Sequence, residues 1–150
     1  MKFDLIPHSH ATTSWELLED VVKTIDQEPK RFDWAIWTNT DADYYLPAQD
    51  APACGTTGCI AGWVNLLTAS DERGVRSPWD ARSWFPRELA TELSALFLGM
   101  GDYSHGPLER GRGETCTEYV ARGLSAIRAF MEKHEEALKA HSIAIPARAA

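Results

Sequence analysis

The sequence predicts a mainly α fold, a single domain over residues 1–150 of about four helices around a buried central helix. Room remains for a short strand or hairpin near residues 32–38. Apolar residues recur at helical spacing in separated stretches. Two Thr-x-x-Glu pairs, Thr13/Glu16 and Thr115/Glu118, have the spacing of capping boxes at the heads of two of those stretches. Between them, residues 59–69 are apolar on nearly every side, the pattern of a helix meant for the interior.

The first twelve residues read as a loose leader. Thr13 then opens a helix whose Leu17, Leu18, Val21, Val22 and Ile25 form one apolar face, with Glu16, Glu19, Asp20, Lys23 and Asp26 mostly on the other. Pro29 stops it, because the residue before a proline is pushed out of the helical region. Phe32, Trp34 and Ile36 alternate, which suits either a short strand or an aromatic irregular segment. Residues 38–52, acidic and punctuated by Pro47 and Pro52, read as a long loop.

In the central stretch Ile60, Trp63, Val64 and Leu67 make one stripe, and Cys59, Gly62 and Leu66 fill the adjoining side. Thr56 or Thr57 is the expected N-cap, which puts Cys59 in the first turn. Gly62 costs the helix roughly 0.5–1 kcal/mol relative to Ala, a cost that close approach of another backbone would offset. Pro86 suits the first position of a third helix carrying Leu89, Leu93, Leu96 and Phe97, and Gly99 suits its left-handed stop. Residues 100–113 form a glycine-rich loop. Tyr119, Val120, Leu124, Ile127, Phe130, Met131 and Leu138 give the last helix a long apolar stripe, and the run from Glu132 to Glu136 supplies much of its wet face. Residues 141–150 read as a frayed tail.

The chain has 150 residues, 44% hydrophobic and 25% charged, which is globular composition and argues against disorder or a disulfide-stapled miniprotein. Its formal charge is -7, a poor match for nucleic acid or for an anionic membrane surface. The acidity is local: residues 1–50 carry 4 basic and 10 acidic side chains, whereas residues 101–150 carry 7 of each. No signal-peptide pattern is present, and the longest apolar run covers about half of a ~30 Å hydrocarbon core. Three cysteines cannot all pair internally, so the expectation is reduced thiols and a cytoplasmic, intracellular protein.

One motif stands out, Cys54-Gly55-Thr56-Thr57-Gly58-Cys59-Ile60-Ala61-Gly62-Trp63. A cysteine in the first turn of a helix meets free N–H groups and the positive end of the dipole, which favour the thiolate. A nucleophile also needs a base, and His105 is the available loop histidine. Cys54 and Cys59 could instead be two metal ligands, with Cys116, His8, His10 or His105 completing the set, although no second close pair accompanies them. Burial favours the plainer role, since free cysteine packs as a small hydrophobe. His134 and His141, about 10 Å apart along a helix, cannot share an ion and read as a solvated face. No phosphate loop, dinucleotide fingerprint or other cofactor signature is present. Arg110-Gly111-Arg112-Gly113 hints at RNA, but Glu109 and Glu114 flank it.

Six tryptophans are many for this length, and Trp63 reads as core. Trp37, Asp41, Asp43, Tyr44 and Tyr45 are the candidate partner-binding residues, because exposed aromatics beside acids suit a protein interface.

The helix ending near Pro29, the Phe32-Asp33 pair, the Cys54–Trp63 stretch and the closing Leu96-Phe97 together resemble a group of small uncharacterised proteins encoded by bacteriophages and their bacterial hosts. The resemblance covers roughly residues 13–97, and the Cys-Gly-Thr-x-x-Cys-x-Ala-Gly-Trp stretch is its specific part. The loop at 100–113 and the C-terminal helix depart from it. It implies a phage or mobile-element accessory protein and transfers no catalytic or binding residue. The combined expectation is a non-enzymatic intracellular accessory protein, without cofactor, that binds another protein through its acidic, aromatic-bearing N-terminal third. The alternatives are a cysteine-dependent enzyme using Cys59 and His105, and a metal-binding protein using Cys54 and Cys59.

Overall fold

In the computed structural model the described residues are 6–29, 32, 38–39, 57–71, 81–104, 106 and 113–148. Helix α1 (Ser14–Gln27) begins at Thr13, whose hydroxyl accepts the Glu16 N–H. The return half of the box shifts by one residue: the Glu16 carboxylate takes the Thr12 N–H at 3.2 Å and the Thr12 hydroxyl at 2.7 Å. Those bonds hold the Glu16 carboxyl below its ordinary range, the Thr12 hydroxyl contributing most. At the other end Glu28, preceding Pro29, has left helical geometry.

Strands β1 (Thr38–Asn39) and β2 (Thr57–Gly58) form a short antiparallel pair with Thr38 opposite Gly58 and Asn39 opposite Thr57. Of the expected strand or hairpin near residues 32–38, residues 33–37 lie outside the described residues, and Thr38 lies in β1, whose partner is the distant entry to the central helix. That helix, α2 (Ile60–Thr68), has all 9 residues buried, Asn65 and Thr68 included. Helix α3 (Ala90–Leu98) is entered through a 3-10 turn at Arg87–Leu89 that starts beside Pro86. Gly99 ends it at φ +62°, with the Met100 N–H reaching the Ala95 carbonyl at 2.8 Å and the Gly99 N–H the Leu96 carbonyl at 3.2 Å. Those are the paired bonds of a Schellman stop.

Helix α4 (Cys116–Lys133) starts with both halves of its Thr115/Glu118 box formed. The predicted single C-terminal helix is broken at His134, and α5 (Glu135–Ala140) continues with Glu135 and Glu136 in its first turn, where carboxylates favour a new helix start.

The predicted mainly helical fold is observed. Among the described residues the buried apolar side chains form one cluster that includes Leu17, Trp63, Leu93 and Phe130. Burying each such side chain stabilises the fold by roughly 1.5–3 kcal/mol. Helix α1 packs against α2, α4 and α5. A close contact falls at Gly123 of α4, where a Cβ would stand 2.6 Å from the Phe32 ring. Phe32 in turn lies 5.7 Å from the Tyr119 ring.

The described parts of the expected loose leader and frayed tail, residues 6–12 and 141–148, are instead tied to the fold. Ile6, Ser9 and Ala11 are buried. The Ile143 N–H donates to the Thr12 carbonyl at 2.9 Å, the Ser14 N–H to that of His141 at 3.1 Å, and Thr13 bridges Ser142. The Arg148 guanidinium donates to the carbonyls of Ile6, Pro7 and Leu66. The cause is the buried end of α2, where Arg148 takes Leu66 O and the Ser9 N–H takes Leu67 O at 2.8 Å.

Candidate functional site

Cys59 is itself the N-cap of α2, two or three positions beyond the expected cap at Thr57 or Thr56. Its backbone is extended, its side chain is 7% exposed, and Sγ accepts the Gly62 N–H at 3.4 Å. The sulfur therefore does a capping hydroxyl's work while packing into the core. Cys116 is the first residue of α4 and is half-buried. Cys54 and His105 lie outside the described residues, as do Trp37, Asp41, Asp43, Tyr44 and Tyr45.

Among the described residues no group of three or more His, Cys, Asp or Glu side chains could hold a metal ion. His8 and His10, named as further ligands, stand edge to face with ring centroids 5.8 Å apart. His8 is committed to the fold, its Nε2 lying 3.0 Å from the Pro146 carbonyl. Burial lowers its pKa, helped by the charge of Arg148. Nearby the Ser9 hydroxyl donates to Asp20 at 2.6 Å. Both groups line a polar cleft between the N-terminal segment and α1, with Glu16, Glu19 and Lys23 at its edge.

A second cluster was not legible in the sequence. Glu92 of α3 receives the Tyr103 hydroxyl at 3.0 Å and the His134 Nε2 at 2.7 Å, and the Lys133 ammonium lies 3.2 Å away. His134 is thus half-buried and paired, which corrects its reading as part of a solvated face. Its ring also packs on Phe130, centroids 4.9 Å apart, at the break between α4 and α5. The hydrogen bond from His134 first, then those from Lys133 and Tyr103, hold the Glu92 carboxyl down to about 2. Burial and the facing carboxylate push the Tyr103 phenol well above its ordinary value. With three donors already on it, Glu92 is placed to join α3 to the α4–α5 junction. Arg122 and Glu114 make a comparable pair at the start of α4, with two parallel bonds of 2.9 Å and the guanidinium over the Tyr119 ring.

The outward face of α1 carries Glu16, Glu19 and Asp26 exposed and Asp20 half-buried, against Lys23. No described helix is long and apolar enough to cross a membrane. Comparisons of the chain with protein-family models, with curated proteins and with solved structures returned no match.

Proposed function

We propose that this chain is a non-enzymatic accessory protein, of the kind phages and mobile elements encode, that acts inside the cell by binding another protein through its acidic, aromatic-bearing N-terminal third. The supporting observation is the outer face of α1. Four carboxylates against one ammonium are a charge excess that folding does not require, because the opposite face of the helix already supplies the core. Such a surface speeds encounter with a basic partner and selects against acidic ones. The burial of Cys59 agrees with this reading, since a sulfur packed into the core is poorly placed to meet a substrate.

Capture of a partner by the tagged chain, followed by direct titration of the purified pair, tests the proposal. Asp41→Asn/Asp43→Asn/Tyr44→Ala/Tyr45→Ala is expected to weaken binding at least tenfold, and added salt to weaken it further. Failure to retain any partner, or equal binding by the quadruple variant, would overturn it. Alkylation with peptide mapping reads the cysteine alternative in the same material. Rapid labelling of Cys59 near pH 6 in the native chain would move the assignment to an enzyme using Cys59 and His105.

A further inference from the structure

A groove of about 480 Å³ runs along the seam between α1 and the α4–α5 junction. Its apolar side chains are Trp15 and Val22 from α1, both half-buried, and Met131 from α4. Its rim carries Glu19, Asp26, Glu132 and Glu135 against Lys23 and Arg128, with Glu135 paired to Lys139 at 3.4 Å. From Trp15 to Asp26 the α1 wall extends about 16 Å, or about three helical turns. The Trp15 ring already carries a cation, the Lys139 ammonium lying 4.7 Å from its centroid.

We infer that this groove docks a basic amphipathic helix of a partner protein. The inference rests on the protein-binding reading above and gives it a surface and a partner chemistry. A three-turn helix with apolar residues at i, i+3, i+4 and i+7 would seat them over Trp15, Val22 and Met131. Its flanking Lys or Arg side chains would meet Glu19, Asp26 and Glu132, and one could replace Lys139 on Glu135 and the indole face. An acidic or purely apolar helix would lack that complementarity.

The probe is a fluorescein-labelled Leu/Lys peptide of helical apolar spacing, followed by anisotropy against the intact chain. A peptide of the same composition with its leucines scattered is the control. Glu19→Lys/Glu132→Lys is expected to weaken binding at least tenfold and to leave the circular dichroism unchanged, since both positions are exposed. The pair Glu88→Lys/Asp102→Lys, with the same change in net charge away from the groove, is expected to change binding less than twofold. Absence of binding, equal loss in both pairs, or equal affinity for the two peptides would overturn the inference. A dimer in sedimentation that Glu19→Lys/Glu132→Lys abolishes would overturn it too, assigning the groove to a second copy of the chain. A captured partner that needs Tyr44 and Tyr45 but tolerates Glu19→Lys/Glu132→Lys would remove the groove and leave the protein-binding reading standing.

Discussion

Glu92 shows how a single side chain can hold three segments. Its carboxylate takes donors from the turn at Gly101–Tyr103 and from the end of α4, so its charge is preferred in the folded state. The carboxyl drops from 4.5 to about 2 on folding. A depressed carboxyl contributes stability that is fully present above its unfolded value and is lost as pH falls through its folded one. The contribution should therefore fade between about pH 4.5 and pH 2. With 38% of the side chain exposed, solvent screens the pair, and Glu92→Gln is expected to cost about 1 kcal/mol at pH 7 rather than the full linkage value. Urea unfolding of both proteins from pH 7 down to pH 2.5 checks this. The difference should shrink steadily with acid, and a gap that stays constant would assign the cost to packing.

Elements were legible wherever their signals were local. Thr13 and Thr115 announce α1 and α4, Gly99 announces the end of α3, and the all-round apolar run announces a buried α2. Each depends on residues within a turn or two of one another. The break at His134 was not read, because the apolar stripe continues in register through Leu138 and the partner of His134 lies 42 residues away. Of the candidate site, the sequence singled out Cys59 but placed the cap two or three residues too early, while Cys54, His105, Trp37, Asp41, Asp43, Tyr44 and Tyr45 fall outside the described residues. The helix-on-ring contact at Gly123 was equally hidden, since nothing local to α4 points to Phe32. It carries a prediction at this scale. Gly123→Ala gains roughly 0.5–1 kcal/mol in helix propensity. The new methyl, however, would meet the Phe32 ring at 2.6 Å, and overpacking of that kind costs typically about 1–3 kcal/mol. Net destabilisation of about 1 kcal/mol is expected in urea unfolding. Combining it with Phe32→Leu should be less than additive, since the smaller side chain relieves the clash. Full additivity would mean that the two residues do not meet.

At the scale of the whole molecule, the cost of burying α2 completely explains why the two ends of the chain are tied together. A helix end in water leaves its last carbonyls to solvent, but the last turn of α2 is buried, and Ala69 beyond it is 6% exposed. Each orphan carbonyl left unbonded there would cost about 1–3 kcal/mol. The chain meets that demand from both termini: Ser9 supplies one N–H, and Arg148 reaches back across the fold to Leu66 while also holding Ile6 and Pro7. A cation at the negative end of the helix dipole adds to the effect. Arg148→Ala should therefore lower stability by about 1–3 kcal/mol, although the residue lies almost at the end of the sequence. Arg148→Lys should recover only part of that, because a single ammonium cannot reproduce a planar fork spread over three carbonyls. Hydrogen exchange locates the effect. The Ser9 and Ile143 amides should lose protection in Arg148→Ala, while those in the middle of α4 should change only through global stability. An unchanged urea midpoint with faster exchange confined to residues 141–148 would show a tail that rests on the fold without supporting it, and the carbonyls of α2 would then need another partner.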